Sequence, residues 1–147
     1  MDIFAAIDAS STGISAQRAR INILSGNLAN INTTRTEGGG PYKRRDAIFS
    51  SEALDNNFND MLDQRINDNV QGIRIDDVYV DEKEPKLVYN PTHPDADEKG
   101  FVRFPNINLM EELVNIMSAS RAYEANVTAL NASKSILVRA LAIGGNE

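Results

Sequence analysis

Few residues in this chain have the types or the spacing that catalysis or ligand binding requires. The single histidine, His93, stands between two prolines in "NPTHPDADEKG", and no serine-centred motif accompanies it. The chain has no cysteine, which excludes disulfides, thiolate zinc sites and a cysteine nucleophile. We therefore interpret His93 as a residue of a surface turn and expect the chain not to be an enzyme.

Two other stretches have the composition of a ligand-binding loop without its spacing. Asp95, Asp97 and Glu98 resemble part of a calcium loop, but the ligand order and the closing glutamate of an EF-hand are missing. The three glycines at 38–40 are not followed by the Lys-Ser/Thr pair of a phosphate-binding loop. We interpret these stretches as a solvated acidic turn and a flexible hinge, and we predict no metal and no cofactor.

The asparagines of "SGNLANINTT" are more informative. Asn27 and Asn30 are three residues apart, so on a helix they share a face beside apolar residues. Asparagine is a poor residue inside a helix because its amide competes for backbone hydrogen bonds. Two interpretations are open: the amides bond across a packed interface and fix its register, or the segment is simply the fraying end of a helix.

Both ends of the chain have the periodicity of helices. Over residues 3–31, apolar residues recur every seven positions, at Ile7, Ile14, Ile21 and Leu28, with Ile3, Leu24 and Ile31 beside them. The segment 10–12 can also cap a helix that starts later, and Gly13 weakens continuity there.

The segment 106–143 has the stronger helical pattern. Its two heptad lines are Leu109, Ile116, Tyr123, Leu130 and Leu137, and Leu113, Ser120, Val127, Lys134 and Leu141. Asn106 or Asn108 can cap this helix, with Glu111 and Glu112 in its first turn. Such an apolar stripe is typical of helix–helix packing, so we expect the two terminal helices to pair.

The middle of the chain has the pattern of short strands. "YKRRDAIF", "GIRIDDVYV", "PKLVYNP" and "GFVRF" are separated by prolines and glycines, and the adjacent aspartates 76–77 indicate a bulge or a turn. Residues 54–71 fit either a helix or a loop. We therefore predict an α+β fold in which the terminal helices pair as a coiled-coil-like inner domain around a small β-containing insert. The predicted domains are 1–32 with 106–147, a connecting segment 33–71 and a β-rich outer segment 72–105.

Charge and hydropathy exclude several kinds of partner. The 147 residues have a net charge of −6, and residues 46–112 hold 16 acidic and 6 basic residues. This balance argues against nucleic acid as a partner. We also expect no membrane span, because no run approaches 18 apolar residues, and no Sec signal peptide, because the N-terminus lacks a basic region.

Three stretches together resemble the bacterial flagellar rod and hook proteins. "SGNLANINTTRTEGGGPYKRR" is similar to their N-terminal signature, and the C-terminal helix holds the family's core at Ser120, Arg121, Tyr123 and Asn126. The segment from His93 to Gly100 and the short length most resemble the proximal rod members.

This resemblance implies a structural subunit that polymerises through its terminal helices into the axial rod crossing the periplasm. The implied partners are further copies, other rod proteins and the flagellar type III export apparatus, with export that needs no cleaved signal. Two alternatives are a sibling rod subunit and a soluble helical-hairpin adaptor with an acidic β unit. The predicted assembly interface consists of Ile14, Ile21, Leu24, Asn27, Leu28, Asn30, Ile31, Leu109, Leu113, Ile116, Tyr123, Asn126, Val127, Leu130, Leu137 and Leu141.

Overall fold

The computed structural model describes residues 3–53 and 71–144, so all but the last residue of the helix-or-loop segment 54–71 lies outside the described residues. Its elements are helix α1 (Ile3–Ala29), strands β1 (Arg45–Ala53), β2 (Gln71–Val80), β3 (Lys86–Tyr89) and β4 (Phe101–Phe104), and helix α2 (Leu109–Gly144). The predicted α+β fold is confirmed: two long terminal helices flank two small strand pairs.

The two terminal helices pack side by side and antiparallel. Near one end, the Asn27 side chain donates a hydrogen bond to Glu112 at 3.1 Å. Fourteen residues earlier in α1, a Cβ built on Gly13 would lie 2.7 Å from Nδ2 of Asn126, which is fourteen residues later in α2. The register is the same at both contacts, so the helices remain adjacent along the length of α1.

Helix α1 is continuous from Ile3, and the segment 10–12 does not cap a later helix. The Ser10 hydroxyl instead donates to the Ala6 carbonyl one turn back, at 2.8 Å. Gly13 lies inside the helix and is buried. The lack of a side chain there allows α2 to approach closely, so this glycine serves helix packing and does not interrupt α1.

The face of α2 that packs on α1 is displaced by one residue from the second predicted heptad line. Ala119 is 1% exposed and Glu112 is fully buried, whereas Leu113, which follows Glu112, is 37% exposed. The physical reason is that small residues, Ala119 and Ala16 of α1, let the helices close together, while a buried ion pair draws Glu112 inward. The predicted pairing of the two helices is confirmed, but the second heptad line, which contains Leu113 and Ser120, lies one residue away from the face of α2 that packs on α1.

Strands β1 and β2 form an antiparallel hairpin with an irregularity at the aspartate pair. Ile48 pairs with Asp77 and Phe49 pairs with Ile75, so Asp76 has no partner in β1. This is the arrangement of a β-bulge, in which two residues of one strand oppose one of the other. The adjacent aspartates indicated a bulge or a turn, and the structure has the bulge.

The hairpin lies along α1. The Ile73 amide donates to the Thr12 hydroxyl at 3.3 Å, and the Arg20 guanidinium lies 5.7 Å from the centre of the Phe49 ring. Strand β1 falls in the predicted connecting segment and nearly all of β2 in the predicted outer segment, although the two strands form one hairpin. The division into three domains stays a prediction.

Strands β3 and β4 form a second antiparallel pair, as expected from "PKLVYNP" and "GFVRF". Val102 and Ile107, which are 0% and 3% exposed, form a small core beneath it. The Lys86 ammonium donates to the Ile107 carbonyl at 2.9 Å and fixes the strand to the segment that enters α2. The β3–β4 pair thus lies at the end of the helix pair where α1 stops and α2 starts, whereas the β1–β2 hairpin runs from that end along α1.

The close helix contact predicts different effects for one substitution at two glycines of α1. Replacing Gly26 by Ala should raise the free energy of unfolding by roughly 0.5–1 kcal/mol, because Ala is the better helix former and no atom lies within 4 Å of the new Cβ. Gly13→Ala should gain less or lose stability, because its Cβ displaces the Asn126 amide. Thermal unfolding followed by circular dichroism at 222 nm measures both. Equal gains at the two positions would contradict the close contact.

Candidate assembly site

Helix α1 ends in a turn that Asn30 closes on itself. The Asn30 amide donates to the Gly26 carbonyl at 2.9 Å, and its oxygen accepts a hydrogen bond from the Thr33 hydroxyl at 3.1 Å. Both contacts are local, and they satisfy backbone and side-chain groups that the end of a helix leaves free. In the described residues Asn30 therefore behaves as the helix-end interpretation expects, and its contact with a neighbouring subunit stays a prediction.

The glycines that follow reverse the direction of the chain. Gly39 and Gly40 have φ values of +82° and +74°, a conformation that residues with a side chain rarely adopt. The Thr36 amide donates to the Gly40 carbonyl at 2.9 Å, and the Tyr42 amide donates to the Thr33 carbonyl at 3.0 Å. The segment interpreted as a flexible hinge is thus a hydrogen-bonded turn that returns residues 42–45 to the side of α1.

The returning chain meets the buried side chain of Asn27. The Asn27 amide nitrogen donates to the Arg45 carbonyl at 2.7 Å and to Glu112 at 3.1 Å. Its oxygen accepts from the Arg45 backbone amide at 2.9 Å and from the Tyr42 hydroxyl at 3.1 Å. Both donors and both acceptor positions of the amide are occupied, which accounts for a polar side chain with no exposed surface.

Glu112 of α2 completes this arrangement, which we call the exit cluster (Asn27, Tyr42, Arg44, Arg45 and Glu112). One carboxylate oxygen of Glu112 accepts from Asn27, and the other accepts from Arg44 Nε at 2.6 Å. The side chains of Arg44 and Glu112 are 16% and 1% exposed, and Arg44 also contacts Asp46 at 3.2 Å. A buried carboxylate is tolerated here because each of its oxygens has a donor.

The environment of the exit cluster changes the acidity of two of its groups. Burial raises the pKa of the Tyr42 hydroxyl, an effect that Arg45 opposes and Glu112 increases. Burial alone would lower the pKa of Arg44, but its hydrogen bonds and charge interactions with Glu112 and Asp46 together outweigh this, so the pKa of Arg44 is raised. Tyr42 is therefore neutral and Arg44 charged across the physiological range.

The exit cluster can position chain segments, and its geometry suits no catalytic role. It joins the end of α1, the first residue of β1 and the first turn of α2, and each side chain in it is occupied by another member. Within residues 3–53 and 71–144, no group of three acidic or histidine side chains is arranged to hold a metal ion. In the same ranges, neither helix combines the length and apolarity that a bilayer crossing requires.

The residues of the predicted assembly interface occupy three environments. Leu24 and Asn27 are fully buried and contact only their own chain. Leu109, Leu113 and Leu141 are exposed. The remaining eleven are half-buried, namely Ile14, Ile21, Leu28, Asn30, Ile31, Ile116, Tyr123, Asn126, Val127, Leu130 and Leu137. Their joint role in assembly stays a prediction.

Sequence reasoning missed four members of the exit cluster. Tyr42, Arg44 and Arg45 lie in a basic stretch that has no periodicity, and Glu112 was interpreted only as an acid of the first turn of α2. One signal could have identified Glu112, because Asn108 caps α2 with its side-chain oxygen 3.1 Å from the Met110 amide. A cap at 108 places Glu112 a full turn inside the helix, on the same side as the buried Ala119.

Comparison with protein families gives two matches, one at each end of the chain. Residues 7–35 match the family described as "Flagella basal body rod protein". Residues 98–143 match the family described as "Flagellar basal body rod FlgEFG protein C-terminal". These ranges cover α1 from Ile7 onward, strand β4 and all of α2 except its last residue.

Curated relatives match nearly the whole chain. A protein of Borreliella burgdorferi named "Flagellar basal-body rod protein FlgC" is 45% identical, with 97% of this chain and 98% of the relative covered. The proteins of the same name from Aquifex aeolicus and Bacillus subtilis are 40% and 36% identical. The Aquifex match covers 95% of each chain, and the Bacillus match covers 98% of this chain and 99% of the relative.

The exit cluster predicts that two adjacent glutamates contribute very differently to stability. Glu112→Ala removes the carboxylate from a buried pair and leaves Arg44 without it, which should lower the free energy of unfolding by about 3 kcal/mol. Glu111→Ala is the matched control, because Glu111 is exposed in the same turn and should change it by less than about 0.5 kcal/mol. Urea unfolding of the two variants measures the difference, and similar small losses would show that the pair does not hold the fold.

The raised pKa of Tyr42 predicts that the free energy of unfolding falls at alkaline pH. Its raised pKa means that, above the ordinary value of 10.0, the folded state retains a proton that the unfolded state releases. Stability from this group is therefore complete below pH 10 and falls as the pH rises through and above that value. The measurement is the free energy of unfolding between about pH 9 and pH 11. Tyr42→Phe should show a shallower fall than the wild type, and identical slopes would remove Tyr42 as the cause.

Proposed function

The chain belongs to the family of flagellar basal-body rod proteins to which the FlgC proteins belong, and from this premise we propose that it polymerises through its terminal helices. It is a structural subunit of the rod in the bacterial flagellar basal body, and it assembles with other rod proteins. What remains to be proposed is which surfaces carry the assembly and how the subunit reaches its place.

The observation that best supports assembly through the helices is an apolar stripe on α2, which we call the outer stripe. It consists of Met110, Leu113, Val114 and Met117, which are 67%, 37%, 61% and 55% exposed. The spacing of three, four and seven residues puts all four side chains on one face of the helix.

The outer stripe points away from α1. Ala119 and Glu112, which face α1, lie about half a helical turn round α2 from the centre of the stripe at 3.6 residues per turn. The single subunit therefore has α1 on one side of α2 and a contiguous apolar surface on the other. Large contiguous apolar surfaces of this kind mark protein–protein contacts, which supports packing of the stripe against neighbouring rod subunits.

The exit cluster supports the same proposal from inside the subunit. It fixes the position of the β1–β2 hairpin against the helix pair, because the Arg45 backbone at the start of β1 is bonded to Asn27. Identical copies in a repeating assembly need identical angles between their inner and outer parts. Asn27 and Leu24 would then act on assembly indirectly, by fixing the shape of the subunit.

The proposal extends to the position and the route of the subunit. It is a proximal rod protein of the axial drive shaft that crosses the periplasm, and it leaves the cytoplasm through the flagellar type III export apparatus without a cleaved signal. It has no enzymatic activity. The near-complete coverage of proteins named FlgC supports these statements.

Introducing a charged residue into the outer stripe tests whether this stripe is an assembly contact. Met117→Glu should reduce the amount of subunit in purified basal bodies at least ten-fold and abolish swimming in soft agar. The physical reason is that burying one unpaired carboxylate costs several kcal/mol at every copy.

Ser118→Glu is the matched control, because Ser118 is the exposed neighbour of Met117 on the flank of the stripe. It introduces the same charge and should incorporate normally. Export is followed separately, by the amount of subunit outside the inner membrane. Normal incorporation of Met117→Glu would show that the outer stripe is not an assembly contact.

A further inference from the structure

Two of the four methionines of the chain lie in the described residues, and both belong to the outer stripe. Met110 and Met117 stand at the two ends of the stripe and are 67% and 55% exposed. A helix returns to nearly the same direction after seven residues, so both thioethers lie on one face, about 10 Å apart along α2 at 1.5 Å per residue. The outer stripe thus begins and ends with a thioether.

The stripe faces away from the elements that pack on the helix pair. The β1–β2 hairpin packs on α1, and within the described residues it makes no contact with α2. By the register of the two helices, the far end of the hairpin, where Ile73 is bonded to Thr12, is level with Val127, about 15 Å from Met117 along α2. The described part of α2 ends at Gly144, about 40 Å from Met117.

A thioether is open to one reaction that the rest of the stripe is not. The chain has no cysteine, so its methionines are its only sulfur-containing side chains. A peroxide or a hypohalous acid transfers one oxygen atom to the sulfur, which loses two electrons. An S–O bond forms, the O–O or O–halogen bond of the oxidant breaks, and water or a hydrogen halide leaves. Methionine sulfoxide reductases reverse the reaction, as two thiols become a disulfide and the oxygen leaves as water.

The sulfoxide does not suit the contact for which the thioether is built. It is polar and chiral, and its oxygen is a hydrogen-bond acceptor. Burying an acceptor without a donor is unfavourable. Leu113 and Val114, which lie between the two methionines on the stripe, have no side-chain donor to offer. Oxidation therefore converts an apolar contact surface into one that resists burial.

We propose that Met110 and Met117 form a reversible oxidation site, and that a subunit oxidised there is excluded from the rod until a reductase restores the thioethers. The inference rests on the proposed function, because it requires the outer stripe to be an assembly contact. The site is accessible only before incorporation, since a contact that covers the stripe also covers both sulfurs. Addition of the subunit is thereby conditional on the redox state of the compartment in which the rod grows.

Treatment of the purified full-length subunit with hydrogen peroxide tests whether the two sulfurs are accessible. Peptide mapping by mass spectrometry follows the gain of one oxygen atom at each methionine. Met110 and Met117 should oxidise at rates within about three-fold of that of a short unstructured methionine peptide, and methionine sulfoxide reductases should reverse both products. Rates at least roughly ten-fold below that of the peptide at both residues would overturn the inference, because the sulfurs would then be covered in the single subunit.

The effect on assembly is measured in cells that lack periplasmic methionine sulfoxide reductase. The subunit is expressed with and without a sublethal dose of hypochlorous acid, and its content in purified basal bodies is given as the ratio of the two conditions. For the wild type this ratio should fall roughly five-fold. Met110→Leu with Met117→Leu removes both thioethers and keeps apolar side chains. Whatever its incorporation without oxidant, this double variant should show no change in the ratio.

Adding Ser118→Met to the double variant provides the matched control. Ser118 is the exposed neighbour of Met117 on the flank of the stripe, so this variant has an accessible methionine outside the contact. It should be oxidised to a similar extent as the wild type and show no change in the ratio. A fall equal to that of the wild type would overturn the inference, because it would assign the effect to oxidation in general.

A second measurement applies if the double variant does not incorporate. The sulfoxide content of the wild-type subunit is then compared between basal bodies assembled after the oxidant is quenched and the unassembled pool of the same cells. Sulfoxide at Met110 and Met117 should be concentrated in the unassembled pool.

Two further outcomes would overturn the inference. They are equal ratios for the wild type and the double variant, and equal sulfoxide contents in the two pools. Either outcome leaves the proposed function standing when Met117→Glu is excluded from basal bodies. Normal incorporation of Met117→Glu would instead contradict the assembly contact itself.

Discussion

The structure depends on the side-chain amide of Asn27, which forms with β1 the two hydrogen bonds that a neighbouring strand would form. Asn27 offers a donor and an acceptor to the C=O and N–H of Arg45, the pair of groups that a neighbouring β-strand would otherwise engage. Asparagine and glutamine carry a donor and an acceptor on separate atoms of one planar amide, and the shorter asparagine keeps the backbone closer to the helix. The amide thereby holds the start of the β1–β2 hairpin beside the end of α1.

The other features at this end of the molecule follow from that constraint. Residue 45 can return to Asn27 only if the chain reverses, which requires the left-handed glycines at 39 and 40. The amide then has one donor left over, and Glu112 accepts from it. Glu112 can be buried only with a cation, which Arg44 supplies from the same returning segment. A single buried polar contact thus explains a glycine turn, an arginine and a glutamate that are far apart in sequence.

The sequence predicted the elements well and their contacts less well. Periodicity located both helices to within a few residues, and the adjacent aspartates correctly indicated the bulge, because these signals are local. The buried face of α2 was misplaced by one residue because apolar heptads were followed, whereas α1 and α2 meet through Ala16 and Ala119. Hydrophobic periodicity detects large apolar side chains. It gives no signal for the small residues that let two helices approach.

The exit cluster was beyond sequence reasoning for a different reason. Its members come from three segments, and their roles exist only after the chain has folded back on itself. The asparagine itself was identified, because a polar residue at a packed position is anomalous wherever it occurs. Its partners were not, since an arginine or a glutamate in isolation gives no indication of burial.

The Asn27–Glu112 contact also determines when the helix pair can form during folding. Asn27 and Glu112 are separated by 85 residues, so the cluster cannot form while only one end of the chain is free. Contacts of such long sequence separation come late in folding, because the intervening chain must be closed into a loop first. Whichever end emerges first from a confining channel, the helix pair therefore stays open until more than half of the chain has followed. The exit cluster therefore closes only after both of its distant segments are free of such a channel.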